Sequence, residues 1–138
     1  MRRIRLVQTL AFLFGIGCAA VALAQTPTDF LQQFSASARQ ESAGFQGFSA
    51  QRGENFFHAT HGREWSCASC HTQNPRAEGQ HAKTAKPISP LAPRANTERF
   101  TRLDKVEKWF KRNCNDVLGR ACTAQEKGDV LAYLVDLK

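Results

Sequence analysis

The chain has 138 residues, a formal net charge of +7 and five cysteines. The length allows one small domain. Three arginines lie among the first five residues with no acid beside them; setting them aside leaves +4, too mild a charge to argue for nucleic acid as a partner.

The N-terminus reads as a secretory signal. Arg2, Arg3 and Arg5 form a positive start, residues 10–24 (LAFLFGIGCAAVALA) are uncharged and apolar, and Ala22-Leu23-Ala24 marks cleavage before Gln25. The run falls short of the roughly 20 apolar residues of a spanning helix, which argues against an uncleaved anchor. Cys18 follows Gly15-Ile16-Gly17 without the leucine usual in a lipoprotein signal, and it goes with the discarded segment. No later segment is apolar enough to cross a membrane. The mature chain 25–138 is therefore expected to be exported, in a bacterium to the periplasm, with four cysteines: Cys67, Cys70, Cys114 and Cys122.

Residues 25–45 predict an N-terminal helical extension, capped at Thr28-Asp29 and running to about Ser42, with 46–138 as the domain proper. Gly44 and Gly47 interrupt it. A second helix is expected from Ser49 or Ala50 through His58, and Gly62 closes that element. Cys67-Ala68-Ser69-Cys70-His71 follows. C-x-x-C-H is the attachment signature of a c-type haem. Thiols at i and i+3 lie on one helical turn and match the two porphyrin vinyl groups, and the next residue brings an imidazole to the iron. A thioredoxin-type pair would need a βαβ pattern, which is missing. A zinc site would need a second ligand pair, and Cys114-x7-Cys122 has the wrong spacing for one. With one covalent haem on Cys67 and Cys70, the remaining two cysteines are free to pair in an oxidising compartment. The second N–H of His71 needs an acceptor, expected among the backbone carbonyls of Ser89, Pro90 and Leu91.

Pro75, Pro87, Pro90 and Pro93 make 72–100 a loop that a haem would organise, with Ile88 and Leu91 packing on it. A helix from Arg102 or Asp104 to Leu118 ends at Gly119. The last helix opens with a capping box, Thr123 to Glu126, and carries Val130, Leu131, Leu134 and Leu137 as its apolar stripe. No segment reads as a strand, so the fold class is all-α.

The only methionine is Met1. A His/Met electron carrier is thereby excluded, leaving His58, His61, His81, a lysine, an unusual ligand or no sixth ligand. At about 100° per residue from Val106, the residues Leu103, Trp109, Phe110 and Val117 fall within about 60° of it, while Asn113 sits near the centre of this stripe at about −20°. An unpartnered amide there costs roughly 1–3 kcal/mol. Either Asn113 bonds a backbone group or a haem propionate, or its side chain meets the iron. An amide is a weak ligand that suits ferric iron and would be released on reduction. Lys105, Lys108, Lys111 and Arg112 lie on the opposite face, solvated and open to an acidic redox partner.

The sequence resembles the SHP cytochromes, named for the sphaeroides haem protein, from about Arg52-Gly53 to Leu134. The matching blocks are Trp65-Ser66-Cys67-Ala68-Ser69-Cys70-His71-Thr72, Pro90-Leu91-Ala92-Pro93, Arg99-Phe100-Thr101, Val106-Glu107-Lys108-Trp109, Arg112-Asn113-Cys114-Asn115 and Gly119-Arg120-Ala121-Cys122. Ala85 stands where the family pattern has glycine, and Arg102 where it has aspartate. The resemblance implies a class I-like cytochrome c fold with one covalent haem c in a high-spin state. It implies His71 as proximal ligand, Asn113 as distal ligand and a Cys114–Cys122 disulfide. It also implies oxygen and nitric oxide binding when reduced, with electrons from a diheme cytochrome c. The expected function is electron transfer with a displaceable Asn113, so that the reduced haem binds O2 or NO. The alternatives are a gas-consuming haem enzyme of the NO dioxygenase kind and a plain bis-histidine carrier.

Overall fold

The computed structural model describes residues 25–138; the expected signal segment, Cys18 included, lies outside the described residues. Five helices and one two-stranded ribbon follow in the order α1 (Pro27–Glu41), α2 (Ala50–His58), α3 (Cys67–His71), β1 (Gly79–Gln80), β2 (Pro87–Ile88), α4 (Leu103–Leu118) and α5 (Ala124–Asp136).

Local chemistry sets most helix ends. Ser49 caps α2 by accepting from the Arg52 backbone N–H, and Gly119 closes α4 in the left-handed region. Thr123 and Glu126 form the expected reciprocal box at α5. The start of α1 differs from expectation. Its cap is Thr26, and Thr28 and Asp29 lie inside the first turn. Pro27 suits the first helical position, where no N–H is needed. That register puts Asp29 where its carboxylate accepts from the Thr26 backbone N–H at 2.7 Å. The Thr26 bonds hold the Asp29 carboxyl below the ordinary aspartate range.

α5 is the axis of the molecule, with α1 and α2 both packed on it. Phe30 and Phe34 of α1 join Val106 and Leu131 in one core cluster; Phe57 of α2 joins Ala68, Val130, Tyr133 and Leu134 in another. The crossing of α2 on α5 is close: a Cβ on Gly53 would lie 1.9 Å from the carbonyl oxygen of Asp129. Asp129 itself is buried within α5, a residue the apolar stripe did not reveal. Its carboxylate accepts from the Ser49 backbone N–H at 2.7 Å and from Arg52 Nε and Nη2 at 2.8 Å each. The same charge pair thus fastens the first turn of α2 to α5.

The buried stripe of α4 departs from the sequence expectation. Val106, Cys114 and Val117 are buried and Phe110 half-buried, whereas Leu103 and Trp109 are 37% and 49% exposed. Its centre is rotated by about 40° from Val106, because Cys114 faces inward to its disulfide. Asn113 then lies on the flank of the stripe and is half-buried.

In the segment 72–100 the structure adds a strand pair that the sequence did not predict. Gly79 pairs with Ile88 and Gln80 with Pro87, antiparallel. Between them Ala85 holds φ at 55°, the left-handed region, which accounts for glycine in the family pattern there.

Two substitutions should therefore move stability in opposite directions in chemical denaturation. Gly53→Ala should cost about 3 kcal/mol by forcing α2 off α5. Ala85→Gly should stabilise by up to about 1 kcal/mol as the strained φ is relieved. The α5 cap adds a pH signature. Burial alone would raise Glu126, but hydrogen bonds from Arg120 and Thr123 outweigh it and hold the carboxyl below its ordinary value. A depressed folded pKa gives stability that is present above the unfolded value of about 4.3 and is lost as pH falls through the folded value. Wild type should exceed Glu126→Gln by about 1 kcal/mol at neutral pH, with the gap closing in acid.

Candidate haem site

α3 is one helical turn whose first residues are fixed by side chains. Ser66 caps it by accepting from the Ser69 N–H, and Ser69 Oγ accepts from the Ser66 N–H at 3.0 Å. Thr72 ends it at φ 63°. The turn is seated from below: Ala68 enters the core beside Phe57, and the Phe57 ring lies 6.4 Å from the His71 ring. It is seated from the side by Gly79. A Cβ there would meet the Cys70 carbonyl oxygen at 2.1 Å, so only glycine lets β1 come this close. The Cys70 thiol accepts from the Ala82 N–H at 3.4 Å.

Cys67 and Cys70 are both free thiols, half-buried on the same turn, as the attachment motif requires. Burial pushes the Cys67 thiol up to about 12. That is the reverse of the stabilised thiolate used in disulfide exchange or zinc ligation. Burial, with the Arg99 charge nearby, pushes His71 down to about 4. Its imidazole is therefore neutral at physiological pH and keeps a lone pair for a metal. Two unpaired thiols and a neutral imidazole in this register fit a c-type haem.

Of the three carbonyls expected to orient His71, two are engaged by other side chains. Pro90 O accepts from Arg99 Nε at 2.9 Å and Asn96 Nδ2 at 3.2 Å, and Ser89 O accepts from Arg99 Nη2 at 2.7 Å. Both lone pairs of Pro90 O are taken. Arg99 is the residue missed here; only its place in the Arg99-Phe100-Thr101 block hinted at it.

The three other histidines each have a ring nitrogen engaged. His58 Nε2 lies 3.4 Å from the Tyr133 hydroxyl. His61 is exposed, with Nε2 2.9 Å from Phe56 O. His81 is half-buried, and its Nδ1 accepts from the N–H groups of Lys83 and Thr84 within its own turn. The Asn113 side chain makes no hydrogen bond among the described residues, so the backbone partner considered for it is not found there. Cys114 beside it is disulfide-bonded to Cys122 with Cα atoms 5.6 Å apart. α3 packs chiefly on α2 and β1, so His71 and Asn113 are carried by separately anchored elements. A surface groove between the outer face of α1 and Phe48 contains none of these residues.

The family model for a domain of unknown function, DUF1924, matches residues 43–134. Cytochrome c'' of Methylophilus methylotrophus is 38% identical over 135 residues, covering 94% of each chain. The c-type protein SHP of Cereibacter sphaeroides is 46% identical over 69 residues, 50% of this chain and 53% of that one. The chain belongs to the SHP family of c-type cytochromes. The structures agree. Oxidised cytochrome c'' superposes with a TM-score of 0.72 at 39% identity, covering 81% of this chain and 94% of that one. Oxidised SHP, described as an oxygen-binding cytochrome c, gives 0.72 at 38% identity, covering 83% of this chain and 99% of that one. The SHP-family fold is all-α, and the cofactor is a c-type haem.

If the disulfide positions Asn113, then Cys114→Ser with Cys122→Ser should change the ferric absorption spectrum, besides costing about 2–3 kcal/mol in denaturation. An unchanged spectrum would leave the bridge a staple only.

Proposed function

We propose that the chain is an exported, periplasmic monohaem cytochrome that couples electron transfer to reversible binding of O2 or NO. The observation that carries this is Asn113, a half-buried amide without a protein partner among the described residues, next to the Cys114–Cys122 bridge. The c-type haem supplies one-electron redox chemistry and an iron position for a diatomic ligand. Cys67 and Cys70, free thiols one helical turn apart, would hold it through thioether links to its two vinyl groups. His71, neutral and backed by Phe57, donates its ring lone pair. Asn113 would be the second, weaker donor to the iron, an amide that suits the harder ferric state better than the ferrous one.

Two relatives support this. SHP is described as an oxygen-binding cytochrome c, and the solution structure of cytochrome c'' is described as bearing on haem-ligand detachment. Residues 1–24 serve as the export signal in this proposal, and no helix among the described residues is long and apolar enough to cross a membrane. The electron donor is a partner cytochrome, probed first as a diheme cytochrome c. It docks on the exposed Lys105, Lys108, Lys111 and Arg112, and its rate should fall as salt screens them.

The bis-histidine alternative has one observation in its favour. His58 Nδ1 is buried without a partner. Spectra of wild type and Asn113→Ala decide between the two. We expect an altered ferric spectrum in the variant and CO binding by both reduced proteins. Identical ferric spectra would remove Asn113 from the iron; a reduced wild type that refuses CO would establish the bis-histidine carrier.

A further inference from the structure

Arg99 stands out among the charged residues near α3. Its guanidinium is clamped by two carbonyls, Ser89 O and Pro90 O, and the residue is half-buried. The four ion pairs among the described residues do not include it. The loop that clamps it is tied at two points to the segment that follows the haem-binding turn. Leu91 N and Ala92 N donate to Pro75 O at 2.9 and 3.0 Å, and Ile88 pairs with Gly79, which abuts the Cys70 carbonyl and the His71 Cα. A guanidinium stays charged even when partly desolvated.

We propose that Arg99 is a positioning residue of the haem site, a fixed cation on the His71 side that biases the iron toward the reduced state. The inference rests on the c-type haem reading of Cys67, Cys70 and His71. The physical argument is Coulombic. Ferric iron carries one more positive charge than ferrous iron, so a cation held nearby raises the energy of the ferric state more. Partial burial limits screening by salt. Two carbonyl acceptors fix the position of the charge without neutralising it, as a carboxylate would. A protein that must be reduced before it can bind O2 or NO gains from such a bias.

The test is a spectroelectrochemical titration of the haem-loaded proteins. Arg99→Gln should shift the ferric-to-ferrous ratio at a fixed potential at least about tenfold toward ferric, which lowers the midpoint by about 59 mV for one electron. Arg99→Lys should recover most of the shift. Arg99→His supplies the charge and its loss in one folded molecule. Relative to wild type, its midpoint should be nearly unchanged at about pH 5 and resemble that of Arg99→Gln at about pH 8, on either side of the ordinary histidine value. A haem-loaded Arg99→Gln with the wild-type midpoint overturns the proposal, as do Lys and Gln variants shifted equally. Should Arg99→Gln fail to take up haem, an Arg99→His offset that is the same at both pH values overturns it. Wild-type protein that incorporates no haem overturns the cofactor reading itself, a failure told apart by the missing Soret band.

Discussion

The approach of α2 to α5 at Gly53 is the constraint from which the remainder follows. Backbone meets backbone there, with no room for a side chain, and the Arg52–Asp129 pair fixes the crossing from one side. The crossing positions Phe57, and Phe57 supports both Ala68 and the His71 ring. A shift of α2 by a methyl group would therefore reach the haem-binding turn through one aromatic ring. Burying a charge pair is a poor source of stability, but losing one partner leaves an uncompensated charge inside. The arrangement specifies a geometry rather than merely adding stability.

Local signals were legible wherever a side chain acts on its own neighbours in sequence. Ser49, Thr123 with Glu126, and Gly119 mark helix ends by bonds within one turn, and the structure places the ends there. Cys67, Cys70 and His71 were legible because their spacing is itself the chemistry. The disulfide was expected from resemblance, and the structure contains it. What escaped depends on partners distant in sequence. Asp129 interrupts an apolar helix face because its partners lie about eighty residues away. Trp109 looked buried by periodicity, but the inward pull of Cys114 turns the helix. Of the three carbonyls expected to serve His71, that of Pro90 is taken by Arg99, nine residues on.

The two sides of the site are held by different means. Around His71, burial, Phe57, Gly79 and the Arg99-clamped loop leave little freedom. Around Asn113, one neighbour is cross-linked while Trp109, one turn earlier, is half exposed with Arg112 laid 5.2 Å over its ring. A rigid surround at His71 and a polar, lightly packed one at Asn113 suit the proposed centre, which would keep one ligand and exchange the other.

The bridge from Cys114 to Cys122 also bears on time. It pins the last turn of α4 to the start of α5, whose capping box is itself closed. Asn113 therefore has a backbone that is hard to displace and a side chain with two free torsions. An amide that leaves by torsion alone moves in picoseconds to nanoseconds, whereas one carried by a shifting helix needs microseconds or longer. In the proposed function, departure of Asn113 on this geometry would be a rotamer event, with the pace of gas binding set by electron arrival rather than by the protein.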